Sequence, residues 1–245
     1  MSECYSGVEN LEVMQEAHNY NNYLLNLVVS EARDAAVAVD FGAGIGTFAS
    51  ELRKYGTRVI CVEPDLSLCR RLKVMKFEAY DSLVSIPEKS VPYIYSLNVL
   101  EHIEDDVGAL QELFRRLRPG GRLLIYVPAF EILFSSADKR VGHKRRYTKN
   151  ALVRRLESAG FQVEQARYID SLGFGVALLF KFIGDRDGRV NPLALKVFDR
   201  WIFPLSITLD RLMKRMAGKN VLALARRPQD VTLAESAAQS SPVAL

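Results

Sequence analysis

The stretch Val37-Ala38-Val39-Asp40-Phe41-Gly42-Ala43-Gly44-Ile45-Gly46 decides how the rest of the chain is read. Apolar residues leading up to Asp40 predict a buried strand. Gly42, Gly44 and Gly46 then predict a tight turn that opens a helix through Phe48, Leu52 and Tyr55. Glycine suits such a turn because it lacks a Cβ: it can take positive φ, and it lets a ligand approach the main chain. The helix start behind the turn leaves backbone N–H groups without partners. This is the pattern of a nucleotide-type crevice.

Spacing narrows the ligand. A dinucleotide fingerprint places its third glycine at position 47, where this chain has Thr47. Asp40 comes just before the turn, where a carboxylate repels a pyrophosphate and welcomes a cation. The next predicted strand, residues 58–62, runs into Glu63-Pro64-Asp65, and an acid at that strand end can accept hydrogen bonds from both ribose hydroxyls. An adenosine carrying a cationic amino-acid arm meets both demands, which describes S-adenosyl-L-methionine.

Four segments in order, Asp40-Phe-Gly-Ala-Gly-Ile-Gly46, Glu63-Pro64-Asp65, Asn98-Val-Leu-Glu-His-Ile-Glu-Asp105 and Leu117-Arg-Pro-Gly-Gly-Arg-Leu-Leu-Ile125, resemble the class I S-adenosylmethionine-dependent methyltransferases. The resemblance spans about residues 36–168. It is nearest to small-molecule enzymes of the quinone-biosynthesis type, some of which carry a Gly-His-Lys-Arg-Arg-Tyr-like segment after the fifth strand. It implies an α/β fold: a doubly wound, seven-stranded, mainly parallel Rossmann-like sheet with an N-terminal helical cap (1–34) and a helical insertion (170–219) between the last two strands. The methyltransferase domain then covers 35–228, and a tail rich in Ala, Ser and Gln (229–245) is expected to be disordered.

Composition sets bounds. With 245 residues and 49% hydrophobic content the chain can bury a full core plus an appendage. A net charge of +4 is too mild to imply nucleic acid. Cys4, Cys61 and Cys69 form neither a disulfide framework nor a metal-ligand cluster, so no metal is expected and a reducing cytoplasm suits them. No basic region followed by an apolar run opens the chain, and no apolar stretch of about eighteen residues suggests a spanning helix.

Along the chain, Leu24, Leu25, Leu27 and Val28 give the first helix an apolar face. The resemblance has this helix cover the cofactor, which places Tyr20 or Tyr23 near the methionine arm; a solvated helix face fits the same residues. Asp81 follows the third strand, where relatives place an acid for the adenine amino group, and a turn aspartate fits equally. Asn98, Val99 and Leu100 leave the fourth strand at its ligand edge. His102, one turn on, reads as organising that turn, ahead of a role in proton transfer.

The segment Asp138-Lys-Arg-Val-Gly-His-Lys-Arg-Arg-Tyr147 packs five basic residues, a histidine and a tyrosine into ten positions beside the crevice. Arginine binds phosphate or carboxylate with two parallel hydrogen bonds, so Arg140, His143, Arg145, Arg146 and Tyr147 are candidates for contact with an anionic acceptor. His143 is the first candidate base and Tyr147 the second, and a purely electrostatic role for His143 on an anionic acceptor fits equally. The apolar insertion predicts a lid, a homodimer interface or a peripheral membrane contact, with Lys196, Arg200, Arg211, Lys214 and Arg215 toward the headgroups.

Together these features predict methyl transfer to a small, anionic, partly hydrophobic acceptor such as a prenyl phosphate, a quinone precursor or an aromatic or polyketide acid, with no nucleic-acid partner. The competing readings are a methyltransferase acting on RNA or protein, a non-catalytic cofactor-binding module, and a nicotinamide dehydrogenase, which Asp40 and Thr47 disfavour.

Overall fold

The structure, a computed structural model, describes residues 12–32, 35–183, 192–212 and 216–230. Residues 1–11, with Cys4, and Lys214 and Arg215 lie outside them, as does the expected tail from residue 231 onward.

Helix α1 (His18–Ala32) precedes β1 (Val37–Phe41), and the glycine turn leads into α2 (Thr47–Lys54). Next come β2 (Arg58–Val62), α3 (Leu66–Val74), β3 (Glu78–Tyr80), β4 (Val91–Leu97), α4 (Asp106–Arg116) and β5 (Leu117–Pro128). The last part of the chain adds α5 (Ser136–Val141), α6 (Lys149–Ser158), β6 (Gln162–Ile169), α7 (Ser171–Ile183), α8 (Pro192–Val197), α9 (Phe203–Leu212) and β7 (Asn220–Arg226).

The strands form one sheet in the order β3-β2-β1-β4-β5-β7-β6. All pairs are parallel except those of β7, which runs antiparallel to both β5 and β6. Strand order reverses between β1 and β4, so a crevice opens at their carboxyl ends. The period-two alternation of side chains divides the interior into two cores. Val39, Ile94 and Ile125 face α4 and α6 through Leu110, Leu113, Leu152 and Leu156. Ala38, Tyr95, Leu124 and Tyr126 face the other way, onto Leu24 and Val28 of α1, Leu52 of α2 and Leu72 of α3. Burying Leu24 and Val28 contributes about 1.5–3 kcal/mol each, which pins α1 to the sheet.

β5 begins at Leu117, ahead of the Gly120-Gly121 pair. Gly120 and Gly121 do not stop pairing: the Gly120 N–H donates to the Arg227 carbonyl at 2.9 Å and the Arg227 N–H to the Gly121 carbonyl at 2.8 Å. In the insertion, α8 and α9 join through a π-helical turn, Phe198–Ile202. Pro204 explains the wider turn, because it has no N–H and its ring crowds the carbonyl four residues back.

Candidate active site

A cavity of about 500 Å³ opens at the β1/β4 switch point. Its floor is the glycine turn. Gly42 has φ +81°, and a Cβ there would lie 2.2 Å from Val99 Cγ2, so only glycine lets the turn after β1 meet the segment after β4. The Gly44 N–H donates to Glu63 Oε2 at 2.7 Å, and the Asp65 N–H donates to Glu63 Oε1 at 3.0 Å. Each Glu63 oxygen keeps a second lone pair for a ligand hydroxyl. Asp65 is held in turn as the cap of α3, accepting from the N–H groups of Ser67 and Leu68 at 2.8 and 3.0 Å.

Asp40 lines the cavity but is itself only 4% exposed. Burial pushes its carboxyl up to about 7, with the nearby Glu63 charge adding to the rise. A carboxyl desolvated in this way gains most from a cation at close range.

The roof comes from distant parts of the chain. Asn98 takes φ +55° at the end of β4, and its Nδ2 donates to the Tyr20 hydroxyl at 3.3 Å. The Tyr20 ring packs edge-on to Tyr126 and Phe203. Asp199, in the π-helical turn, reaches across to cap α1. Its carboxylate accepts from the Asn19 N–H at 2.9 Å and from the Tyr20 N–H at 2.8 Å, and its carbonyl accepts from Asn19 Nδ2 at 2.9 Å. Asp210 of α9 does the same for α7, accepting from the N–H groups of Asp170 and Ser171 at 2.7 and 2.9 Å. Leu195, Phe198 and Asp199 of the insertion line the cavity.

The far wall carries His102, His143, Arg146 and Lys219. The turn at Gly142 (φ +81°) sends the chain back, so that the His143 N–H donates to the Asp138 carbonyl at 2.9 Å and the Lys144 N–H to the Glu101 carbonyl at 2.8 Å. His143 Nδ1 lies 2.7 Å from Asp138 Oδ1. Arg146 grips the same carboxylate with two hydrogen bonds, Nε to Oδ1 at 2.9 Å and Nη2 to Oδ2 at 3.0 Å. Burial alone raises the Asp138 pKa, but hydrogen bonds from His143 and Arg146 overcome it and hold the carboxyl well below the usual range. The rings of His102 and His143 meet edge to face at 4.7 Å, and burial, followed by the neighbouring His143, pushes His102 down to about 4. Burial likewise lowers the Lys219 ammonium, against the opposing pull of Asp170.

Of the residues expected from sequence, Asp40, Gly42, Gly44, Glu63, Pro64, Asn98, Val99, Tyr20, His143 and Arg146 share this cavity. The others are corrected as follows. Tyr147 is 1% exposed, and its hydroxyl donates to Asp106 Oδ2 at 2.8 Å, beside the Leu100 carbonyl at 3.1 Å, so the phenol belongs to the core and not to the acceptor wall. Arg145 pairs with Asp106 at 3.1 Å, and Arg140 is exposed; neither lines the cavity. Leu100 is fully buried, Gly46 opens α2 behind the turn against Leu72, and Asp81 is exposed on a separate groove with Tyr80 and Cys69. Sequence reasoning missed Asp138 as the anchor of His143, Lys219 and the two capping aspartates. No local pattern marks these, because each acts on a residue remote in the chain. Glu101 stood inside a quoted motif, yet nothing in the sequence shows that its carboxylate would be buried.

Residues 13–166 match the family model described as a methyltransferase domain. A Mycolicibacterium smegmatis protein described as a probable S-adenosylmethionine-dependent methyltransferase is 28% identical over 143 residues, covering 55% of this chain and 53% of that protein. The chain spans about half the length of the curated relatives it matches. In fold it is similar to a chain of the Haloferax volcanii complex between the Trm112 methyltransferase activator and a methyltransferase, with TM-score 0.64, 15% identity and coverage of 94% of this chain and 99% of that one. It is also similar to Haemonchus contortus phosphoethanolamine N-methyltransferase 2, solved with S-adenosyl-L-methionine, with TM-score 0.56, 16% identity and coverage of 84% and 53%. With the seven-stranded order, the Asp40 carboxyl and the doubly anchored Glu63 all at the switch point, the chain belongs to the class I, S-adenosylmethionine-dependent methyltransferase-domain family.

Proposed function

We propose that this chain transfers a methyl group to a small acceptor bound between the insertion and the His143–Arg146 wall. The observation that carries this reading is one continuous cavity joining the Asp40–Gly44–Glu63 edge to His143, Arg146 and Lys219. When bound, S-adenosylmethionine supplies an electrophilic methyl on a sulfonium. Asp40 would hold its cationic arm and Glu63 its ribose hydroxyls, while Tyr20 and Asn98 close over the site.

The contribution of the protein is chiefly geometric. Holding an acceptor in line with the methyl is worth on the order of 7–11 kcal/mol. His143 supports acceptor chemistry through Nε2, because Asp138 occupies Nδ1 and fixes the ring. Lys219 favours an acceptor with anionic character, and Leu195 and Phe198 favour an apolar body, consistent with a prenyl phosphate, a quinone precursor or an aromatic or polyketide acid. The RNA or protein reading leaned on the basic run, but Arg145 and Arg146 are committed to Asp106 and Asp138, which weakens it. Exposed Leu193, Val197, Trp201 and Leu205 form the outer face of the insertion, to which the interface or membrane proposal attaches. Among the described residues no helix is long and apolar enough to cross a membrane.

The test is calorimetric titration with S-adenosylhomocysteine, in the wild type and in Asp40→Ala and Glu63→Ala, followed by an acceptor screen with anionic amphiphiles. Binding lost in both variants supports the reading. Absence of binding by folded wild-type protein overturns it. Binding with no acceptor turned over by any class of substrate returns the chain to a cofactor-binding module.

A further inference from the structure

Glu101 is fully buried, and neither of its carboxylate oxygens has a hydrogen-bond partner. Burying an unpaired carboxylate costs several kcal/mol, and burial pushes this one up to about 8, so Glu101 stays a neutral acid unless a cation takes the place of its proton. The residues around Glu101 supply a donor set. One ligand atom each from Glu101, His102 and His143 lie within 4.8 Å of one another.

The two imidazoles are already oriented. His143 Nδ1 is taken by the Asp138 carboxylate at 2.7 Å, which leaves Nε2 facing Glu101 Oε1 at 3.8 Å. The His102 ring meets the His143 ring edge to face at 4.7 Å. A carboxylate behind an imidazole is a common way to hold a metal-ligating histidine. The Lys144-to-Glu101 main-chain bond ties the loop of His143 to the turn of Glu101 and His102, so the three move as one unit.

We propose that Glu101, His102 and His143 bind a divalent transition-metal ion, of the zinc, manganese or cobalt type, whose open coordination position faces the acceptor side of the cavity. Neutral imidazole nitrogens with one carboxylate suit such ions and not calcium or magnesium, which prefer all-oxygen sets. Bonds of about 2.0–2.1 Å in tetrahedral geometry put ligand atoms about 3.3 Å apart, so the 3.8 Å His143–Glu101 separation needs to close by only about half an ångström. His102 and His143 line the cavity while Glu101 lies behind them, so a fourth ligand enters from the acceptor space. A cation there would hold an acceptor hydroxyl and favour its ionised form, and its proton would then leave to solvent instead of to His143 Nε2. The inference rests on the methyl-transfer reading for its role, but not for its existence.

The experiment separates the two. Chelator-stripped protein carrying all 245 residues is titrated with Zn2+, Mn2+ and Co2+ in the absence of S-adenosylhomocysteine, and the Co2+ absorption spectrum reports histidine ligation. In parallel, S-adenosylhomocysteine affinity is measured on the stripped protein. The expected result is one cation per chain at micromolar affinity or better, weakened at least about 100-fold in Glu101→Gln and in His143→Asn, with both variants folded and S-adenosylhomocysteine affinity close to wild type. The proposal is overturned by stripped wild-type protein that binds S-adenosylhomocysteine yet binds none of the three ions saturably. A Co2+ spectrum without imidazole ligation, or folded variants that bind as tightly as wild type, overturns it as well. Cation binding without S-adenosylhomocysteine binding would retain the metal site and refute the methyl-transfer reading.

Discussion

Asp199→Ala removes the carboxylate that the insertion places at the start of α1. Two amides, those of Asn19 and Tyr20, lose their acceptor in a half-buried setting. Loss of a helix cap with donors left unpaired costs about 2 kcal/mol. For a chain of this size that is a fall of about 4–8 °C in thermal midpoint. The loss is local, so the opening equilibrium of α1 should rise by about 30-fold. Hydrogen exchange followed by mass spectrometry reads this directly: the amides of α1 should exchange about 30-fold faster, while those of β4 and β5 keep their protection. Asp199→Asn should fall between wild type and alanine, because an amide offers one acceptor oxygen and turns donors toward a donor. Unchanged exchange in α1, with the insertion intact, would refute the idea that Asp199 fastens the lid to the helix that carries Tyr20.

Glu63→Gln keeps the shape but sets an amide N–H against the Gly44 or Asp65 N–H; S-adenosylhomocysteine affinity should drop about 30-fold, about 2 kcal/mol, as read by calorimetry. Burial raises the Asp40 pKa from 3.8 to about 7, so in the free protein its contribution to stability is present below pH 4 and lost as pH rises through about 7. A cationic ligand requires the ionised form, so affinity should climb up to tenfold per unit toward pH 7, with proton release on binding, and Asp40→Asn should flatten that profile. Tyr147→Phe removes one hydrogen bond from Asp106, which Arg145 and Arg155 still neutralise; about 1 kcal/mol of stability should go, while S-adenosylhomocysteine binding and turnover stay at wild-type levels. A loss of turnover at unchanged stability would restore a catalytic role for Tyr147.

The edge of the cavity proposed to hold the cofactor was legible in the sequence because it is built from local patterns. A strand period of two, glycines where φ must be positive, and acids at two strand ends are short-range requirements, so Asp40, Gly42, Gly44 and Glu63 could be named from spacing alone. The doubly wound, mainly parallel sheet came with the resemblance that the motifs carry, whereas the strand order itself was visible only in the structure. The acceptor half depended on pairings between residues far apart in the chain. Composition showed five cations in the run from Asp138 to Tyr147, but not that Asp106 and Asp138 would engage two of the arginines or that Tyr147 would turn into the core. Nor could it show Asp199 and Asp210 capping helices across the fold, or Glu101 buried without a hydrogen bond to its carboxylate oxygens beside two histidines. The reason is physical: charge and hydrogen-bond satisfaction are decided by what the fold brings within about 3 Å and by what it shields from water, and neither quantity is a property of a residue and its sequence neighbours.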